Sequence, residues 1–332
     1  MRLLPEPSVH PAAVGDLCRS LALLADHVPP SLPAASAALS RLAAGDGREA
    51  GPDAVSPWPF LLYGELVPRL QEGMPDNDLR LLVNTLGSEF TRPCPGQPVL
   101  LSFGDASIPA LCWEVLLRHL TQEEIFPEDL LPPDPALLPR LQEWFPRVHD
   151  LLRQADPDLQ GRMEHLQRLV VLARPGPRSL SRSQRFGGAT MLFFWRGTVL
   201  NADPLRSLPA LLEQMVHEYG HGALFALGKD SLLCLNDDRE RYPVSIRSDP
   251  RPMYGILHSF YVTTLVADVF DRLLDRQDRL APPLSSEEQG EIRERAARNR
   301  GHARSSLQAI ETHARLTPLG DQVVRATASA LH

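Results

Sequence analysis

The stretch Leu212-Glu213-Gln214-Met215-Val216-His217-Glu218-Tyr219-Gly220-His221-Gly222-Ala223-Leu224 decides how the chain is read. It holds an H-E-x-x-H motif, His217-Glu218-Tyr219-Gly220-His221. Positions i and i+4 of an α-helix lie one above the other on one face. His217 and His221 can therefore aim two imidazoles at one point, the usual way for a single helix to offer two nitrogens to a divalent metal. Glu218, one residue on, can touch a metal-bound water without ligating the metal. The flanks support a helix. Ser207 is a candidate N-cap with Pro209 in the first turn, and Asp203-Pro204 is an earlier alternative start. Leu208, Leu211, Leu212, Met215, Val216 and Leu224 form an apolar stripe. Gly228 suits a C-terminal stop.

Working outward, the 332 residues allow two domains or one large one, and a hydrophobic content of 43% allows a sizeable core. The net charge of −7 argues against nonspecific nucleic-acid binding through the whole surface. Cys18, Cys94, Cys112 and Cys234 are scattered and form no C-x-x-C pair, so free thiols are expected in place of a disulfide framework. The N-terminus has no long apolar segment, and no run reaches the roughly 18 residues of a membrane span. A cytoplasmic protein with no membrane and no nucleic-acid partner is expected.

Two halves of different character are visible. Residues 1–155 read as a helical region, with peptide recognition as its expected role, and residues 156–332 as the metal-binding catalytic region. In the first, helices are expected over 9–46, over 60–90 with a break at Gly73-Met74-Pro75, from Pro109 to Leu120, and from Pro135 to Gln154 with an interruption at Pro146. Val99-Leu100-Leu101 reads as a short strand. In the second, Leu169-Val170-Val171-Leu172-Ala173 has the pattern of a buried strand. Met191-Leu192-Phe193-Phe194-Trp195 is a second strand candidate, turning at Arg196-Gly197. Asn236-Asp237-Asp238 and Tyr242-Pro243 read as loop. A long helix is expected from Met253 to Arg276, then one opened by the capping box Ser285–Glu288, then a last one from Thr317-Pro318. The fold class is α+β, mainly helical, with a small sheet beside the H-E-x-x-H helix in a zincin-like core. An edge strand of such a sheet can pair with an extended peptide.

Two histidines do not complete a metal site, so a third ligand is sought elsewhere. His258 shares a helix face with Tyr261, Val262, Leu265 and Val269 and should point inward. A carboxylate from Asp237, Asp238, Asp249 or Asp268 would instead give a two-His, one-carboxylate set. With Pro252 expected at the first helical position, Arg251 stands at the helix mouth, where its guanidinium could hold a carboxylate in a bidentate pair. Arg247 is the substitute.

His217-Glu218-x-x-His221, the later Arg251-Pro252-x-x-Gly255-x-x-His258 and the Ser181/Ser183-to-Gly188 region together resemble the αKG-HExxH peptide β-hydroxylases, first described as H-E-x-x-H putative peptide-modification proteins. The resemblance covers roughly residues 165 to 275. It implies Fe(II), 2-oxoglutarate and O2 as reactants, and hydroxylation at a β-carbon of a ribosomally made precursor peptide. His217, His221 and His258 would then bind the iron, and Arg251 the far carboxylate of 2-oxoglutarate.

The bare motif equally suits a zinc peptidase. There the same ligands hold Zn2+, Glu218 is the general base, and Tyr254 or Tyr261 stabilises the oxyanion. A non-catalytic peptide-binding protein would need a closed four-ligand site, for which Cys234 is the nearest thiol. The basic run Arg293 to Arg304 reads as a solvated helix face.

Overall fold

The computed structural model describes residues 9–44, 56–73, 75–92, 97–122, 130–176, 188–189, 196–228, 231–245 and 247–331. The chain is mainly helical with a small sheet. The described residues fall into two units interleaved in sequence, which do not meet at one cut near residue 155. One comprises Glu6–Asp134 with Glu164–Ala202, the other Pro135–Met163 with Asp203–His332.

The first unit packs α1 (Val9–Ala25), α2 (Pro33–Ala44), α3 (Trp58–Glu72), α4 (Asp76–Thr91) and α5 (Ala110–Gln122) with the sheet. Gly73 ends α3 in the left-handed region at φ 77°, its amide bonded to the Arg69 carbonyl, so the expected break falls there. The sheet is built from β1 (Val99–Ser102), β2 (Leu130–Leu131), β3 (Leu169–Pro175), β4 (Gly188–Ala189) and β5 (Gly197–Asn201). β3 lies between β1 and β5, parallel to both, with Val171 opposite Leu101 and Val199. β4 pairs antiparallel with β5, and β2 with the end of β3. Parallel strands covered on both faces read as unbroken apolar runs, which is why Leu169 to Ala173 is legible.

The expected strand Met191–Trp195 and the residues Ser181 and Ser183 lie outside the described residues. β5 is a strand that the sequence reading passed over, and it starts at the Gly197 expected to be a turn. Arg196 explains the start. Its backbone has φ 55°, its carbonyl accepts from the Arg168 and Leu169 amides, and its buried Nε donates to the His165 carbonyl at 2.6 Å.

The second unit holds α6 (Leu138–Ala155), α7 (Pro157–Leu166, which crosses the division), α8 (Leu208–Leu227), β6 (Tyr242–Val244), β7 (Arg247–Arg251), α9 (Met253–Asp275), α10 (Ser286–His313) and α11 (Pro318–Ala328). Pro146 sits inside α6 without ending it. Ser207 caps α8, its Oγ accepting from the Ala210 amide at 3.2 Å, and the Asp203-Pro204 start is not used. The Ser285/Glu288 capping box opens α10 with both of its hydrogen bonds. Tyr242-Pro243, expected as loop, belongs to the hairpin β6/β7. Prolines 243 and 250 mask its strand pattern, yet both are tolerated in an isolated two-stranded ribbon. α9 is long and apolar enough to cross a membrane, but 83% of its most apolar window is buried, so the fold itself accounts for that apolarity.

Two contacts set α8 in place. A Cβ added at Gly220 would lie 2.7 Å from Val262 Cγ1, so α8 and α9 approach as closely as a missing side chain allows. One turn before His217, Glu213 receives hydrogen bonds from Arg295, from Arg298 at 3.0 Å and from Asn299 at 2.6 Å, which ties α8 to α10. Burial would raise the Glu213 carboxyl, but the hydrogen bonds from Asn299 and Arg295 and the charges of Arg298 and Arg295 outweigh it and hold the pKa below its ordinary value.

Gly220→Ala should destabilise the protein by about 1–3 kcal/mol from overpacking, more than the ~1 kcal/mol that alanine returns in helix propensity. Denaturant titration of Gly220→Ala, and of the double variant with Val262→Ala, checks this. The second change should recover part of the loss, and an unaffected single variant would show that the two helices can part freely.

Because the folded pKa of Glu213 is depressed, its stabilisation is fully present above the unfolded carboxylate value of about 4.3. It is lost as pH falls through the folded value. Glu213→Gln should cost roughly 2–3 kcal/mol at pH 7, because two guanidiniums lose their partner. The difference between variant and wild type should shrink in acid, as urea midpoints measured from pH 7 down to pH 3 would reveal.

Candidate metal site

α8 is buried almost all round. Its half-buried positions Glu213, Gln214, His217, His221 and Phe225 recur at helical spacing and leave one stripe open. His217 and His221 lie on that stripe with their Nε2 atoms 3.2 Å apart and their rings inclined by 69°. Two imidazole nitrogens on one divalent ion, each about 2.0–2.1 Å from it, stand roughly 3 Å apart. The pair therefore fits an ion between them. Glu218 lies off the stripe and is 3% exposed. The ligating atoms of His217, Glu218 and His221 are within 4.8 Å of one another. Gln214, one turn earlier, donates from Nε2 to Glu218 Oε1 at 2.9 Å, which holds that carboxylate.

His258 arrives from α9, 4% exposed, and its Nδ1 meets Nδ1 of His221 at 2.9 Å. It thus approaches His221 from the side opposite the Nε2 pair. Its own Nε2 is buried and has no hydrogen-bond partner among the described residues. Phe225 and Tyr254 pack on its ring, with centroids 5.0 and 4.4 Å away. Burial first, then the nearby His217 and His258, lower the pKa of His221 well below the ordinary imidazole value. Burial first, then His217, lowers that of His258 to about 4. Both rings are neutral at pH 7, as metal ligation requires.

The carboxylates weighed as alternatives stand elsewhere. Asp268 receives Arg272 Nε at 3.1 Å, and Asp237 accepts from the Arg239 amide at 2.9 Å. Asp249 is 3.6 Å from Arg251. Among the described residues, neither these three nor Asp238 joins the group with the two histidines. Pro252 is the N-cap of α9 and not its first residue, so Arg251 closes β7. The Arg251 side chain is 36% exposed and reaches back along the first turn of α9, its Nε 4.0 Å from where a Cβ of Gly255 would stand. Arg247 opens β7, and its side chain lies outside what the structure describes.

Tyr254 borders the cluster, and burial, then the nearby Cys234, pushes its phenol up to about 12. Tyr261 instead lines a small cavity with Thr264, Leu265, Asp268 and Thr327. Among the described residues, Cys18, Cys112 and Cys234 are not in disulfides. The sequence reading missed Gln214, Phe225 and Gly220 as parts of the site. The i, i+4 spacing of Gln214 to Glu218 and a glycine inside an apolar helix were the available signals. Compared with known proteins, the chain matches no family model and no curated protein.

Proposed function

We propose that the protein is an Fe(II)- and 2-oxoglutarate-dependent hydroxylase acting at a β-carbon of a ribosomally made precursor peptide in the cytoplasm, with no nucleic-acid or membrane partner. The zincin-like core expected from the motif is part of this proposal. The observation that carries it is the Nε2 pair of His217 and His221, 3.2 Å apart, on a helix packed against the one whose mouth bears Arg251. Iron bound there would supply oxidation of a C–H bond by O2, coupled to decarboxylation of 2-oxoglutarate to succinate. The residues do the rest. His217 and His221 present their Nε2 atoms side by side. Arg251 offers a two-pronged guanidinium to the far carboxylate of the co-substrate. Phe225 and Tyr254 cover His258 and limit water at that side of the site.

A zinc peptidase is the second reading, favoured by the approach of the Glu218 carboxylate to both histidines. Against it, Glu218 Oε1 already accepts the Gln214 amide, which restricts the carboxylate as a general base. A closed structural site would need four ligands, and among the described residues Cys234 does not join the group.

With Fe(II), O2, 2-oxoglutarate and a precursor peptide encoded in a neighbouring short reading frame, the peptide should gain one oxygen as one succinate forms. Arg251→Ala should raise the KM for 2-oxoglutarate about 10-fold or more, the loss of a charge-assisted pair. Arg251→Lys should recover only part, because an ammonium cannot form the fork. An unchanged KM in Arg251→Ala would remove Arg251 from the co-substrate site and make Arg247 the next residue to test.

Glu218→Gln separates the two chemistries. A peptidase that relies on Glu218 to deprotonate water should lose activity on the order of 10²–10⁴-fold. A hydroxylase takes its oxygen from O2 and should keep a measurable share of succinate formation. Peptide cleavage independent of 2-oxoglutarate in the wild type would decide for the peptidase.

A further inference from the structure

The contact between His221 and His258 has a geometry that the expected three-histidine ligand set does not explain. The two rings are inclined by only 19°, with centroids 5.2 Å apart and facing Nδ1 atoms 2.9 Å apart. Faces in a stack cannot approach to 2.9 Å. Rings nearly in one plane, meeting edge to edge, give this combination of distances, and 2.9 Å is then an ordinary in-plane N–H···N hydrogen bond. The ring nitrogen that His258 presents is thus directed at His221 Nδ1. The metal-facing atom of His221 is Nε2, on the other side of the ring, 3.2 Å from Nε2 of His217.

We propose that His258 is a positioning residue, which holds His221 through an Nδ1···Nδ1 hydrogen bond and supplies no ligand atom itself. The assignment rests on the metal-dependent function proposed above and refines its site. Metal-binding histidines commonly donate their second N–H to a neighbouring acceptor, which fixes tautomer and orientation. Here the acceptor is a second imidazole.

Proton accounting makes the arrangement specific. With each ring in the neutral form that metal ligation requires, three rings carry three protons. Without metal, His258 Nδ1–H donates to His221 Nδ1, His221 Nε2–H donates to His217 Nε2, and His217 keeps its proton on Nδ1. A metal needs both Nε2 lone pairs. His221 must then carry its proton on Nδ1 and donate it to His258, whose own proton moves to Nε2. No proton leaves the cluster, and the hydrogen bond reverses direction. The buried Nε2 of His258, which has no acceptor among the described residues, becomes the N–H of the loaded state.

The test uses Zn(II), a diamagnetic probe, on the full-length 15N-labelled protein. Long-range 1H–15N spectra report the protonation and coordination of each imidazole nitrogen. With Zn(II) bound, metal-shifted nitrogens are expected for His217 and His221 only. His221 should be protonated at Nδ1 and His258 at Nε2, with His258→Asn used to assign its signals. Asn keeps an acceptor near the position of Nδ1, so His258→Asn should bind one Zn(II) per chain with less than about 10-fold loss of affinity. His258→Ala should lose roughly 10–100-fold while still saturating at one per chain. A metal-shifted nitrogen on His258, or binding abolished in His258→Asn as completely as in His221→Ala, would overturn the assignment alone. Wild-type protein that binds no Zn(II) would overturn the assignment and the metal-dependent function together.

Discussion

The crossing of α8 over α9 at Gly220 and Val262 is the constraint on which the site depends. H-E-x-x-H places its two histidines on one helix, and nothing in that helix determines what faces them. A backbone approach that leaves 2.7 Å for an added Cβ brings His258 to within hydrogen-bond distance of His221. Any larger residue at 220 would move α8 outward, and a hydrogen bond between two rigid rings tolerates little displacement. Helix interiors disfavour glycine by about 1 kcal/mol relative to alanine. That penalty is offset only because close packing is gained in return.

The second restraint lies about two turns earlier along the helix. Glu213 carries three donors from α10, one turn before His217. α8 is therefore held at two points along its length, by an apolar contact that admits no side chain and a charged contact that admits no unpaired partner. The pairing also explains part of the Arg293–Arg304 run. Arg295 and Arg298 belong to the Glu213 network and Arg300 pairs with Asp271, so the helix is not simply a solvated basic face.

Local signals in the sequence were legible where the physics is local. The N-cap at Ser207, the capping box at Ser285 and the helix break at Gly73 each depend on a few neighbouring residues, and each stands as expected. β3 was legible because a strand buried on both faces must be apolar throughout. The hairpin β6/β7 was not, because its prolines imitate a loop and its pairing is fixed by docking on α10 through Ser245. The interleaved units were equally illegible, since the return of the chain between them leaves no compositional mark. At the site, the inward direction of His258 followed from helix periodicity. Which of its nitrogens meets which of its neighbours did not, because that depends on the crossing of two helices far apart in sequence.

Arg251 shows how a residue can be both paired and available. Its partner Asp249 is 3.6 Å away and both side chains are about one third exposed. Such a pair contributes little, about 0–1 kcal/mol, and yields readily to a better acceptor. The first turn of α9 behind it has no side-chain cap, because Pro252 occupies the N-cap, so its amides carry the positive end of the helix dipole unopposed. A guanidinium and a bare helix N-terminus repel one another weakly and attract the same ligand. A carboxylate brought between them relieves that repulsion and gains a two-pronged hydrogen bond in addition. Gly255 lies beside both, since a Cβ there would stand 3.8 Å from the Pro252 ring and 4.0 Å from Arg251 Nε, ordinary contact distances. The local electrostatics at the mouth of α9 therefore favour an anion over a neutral carbonyl.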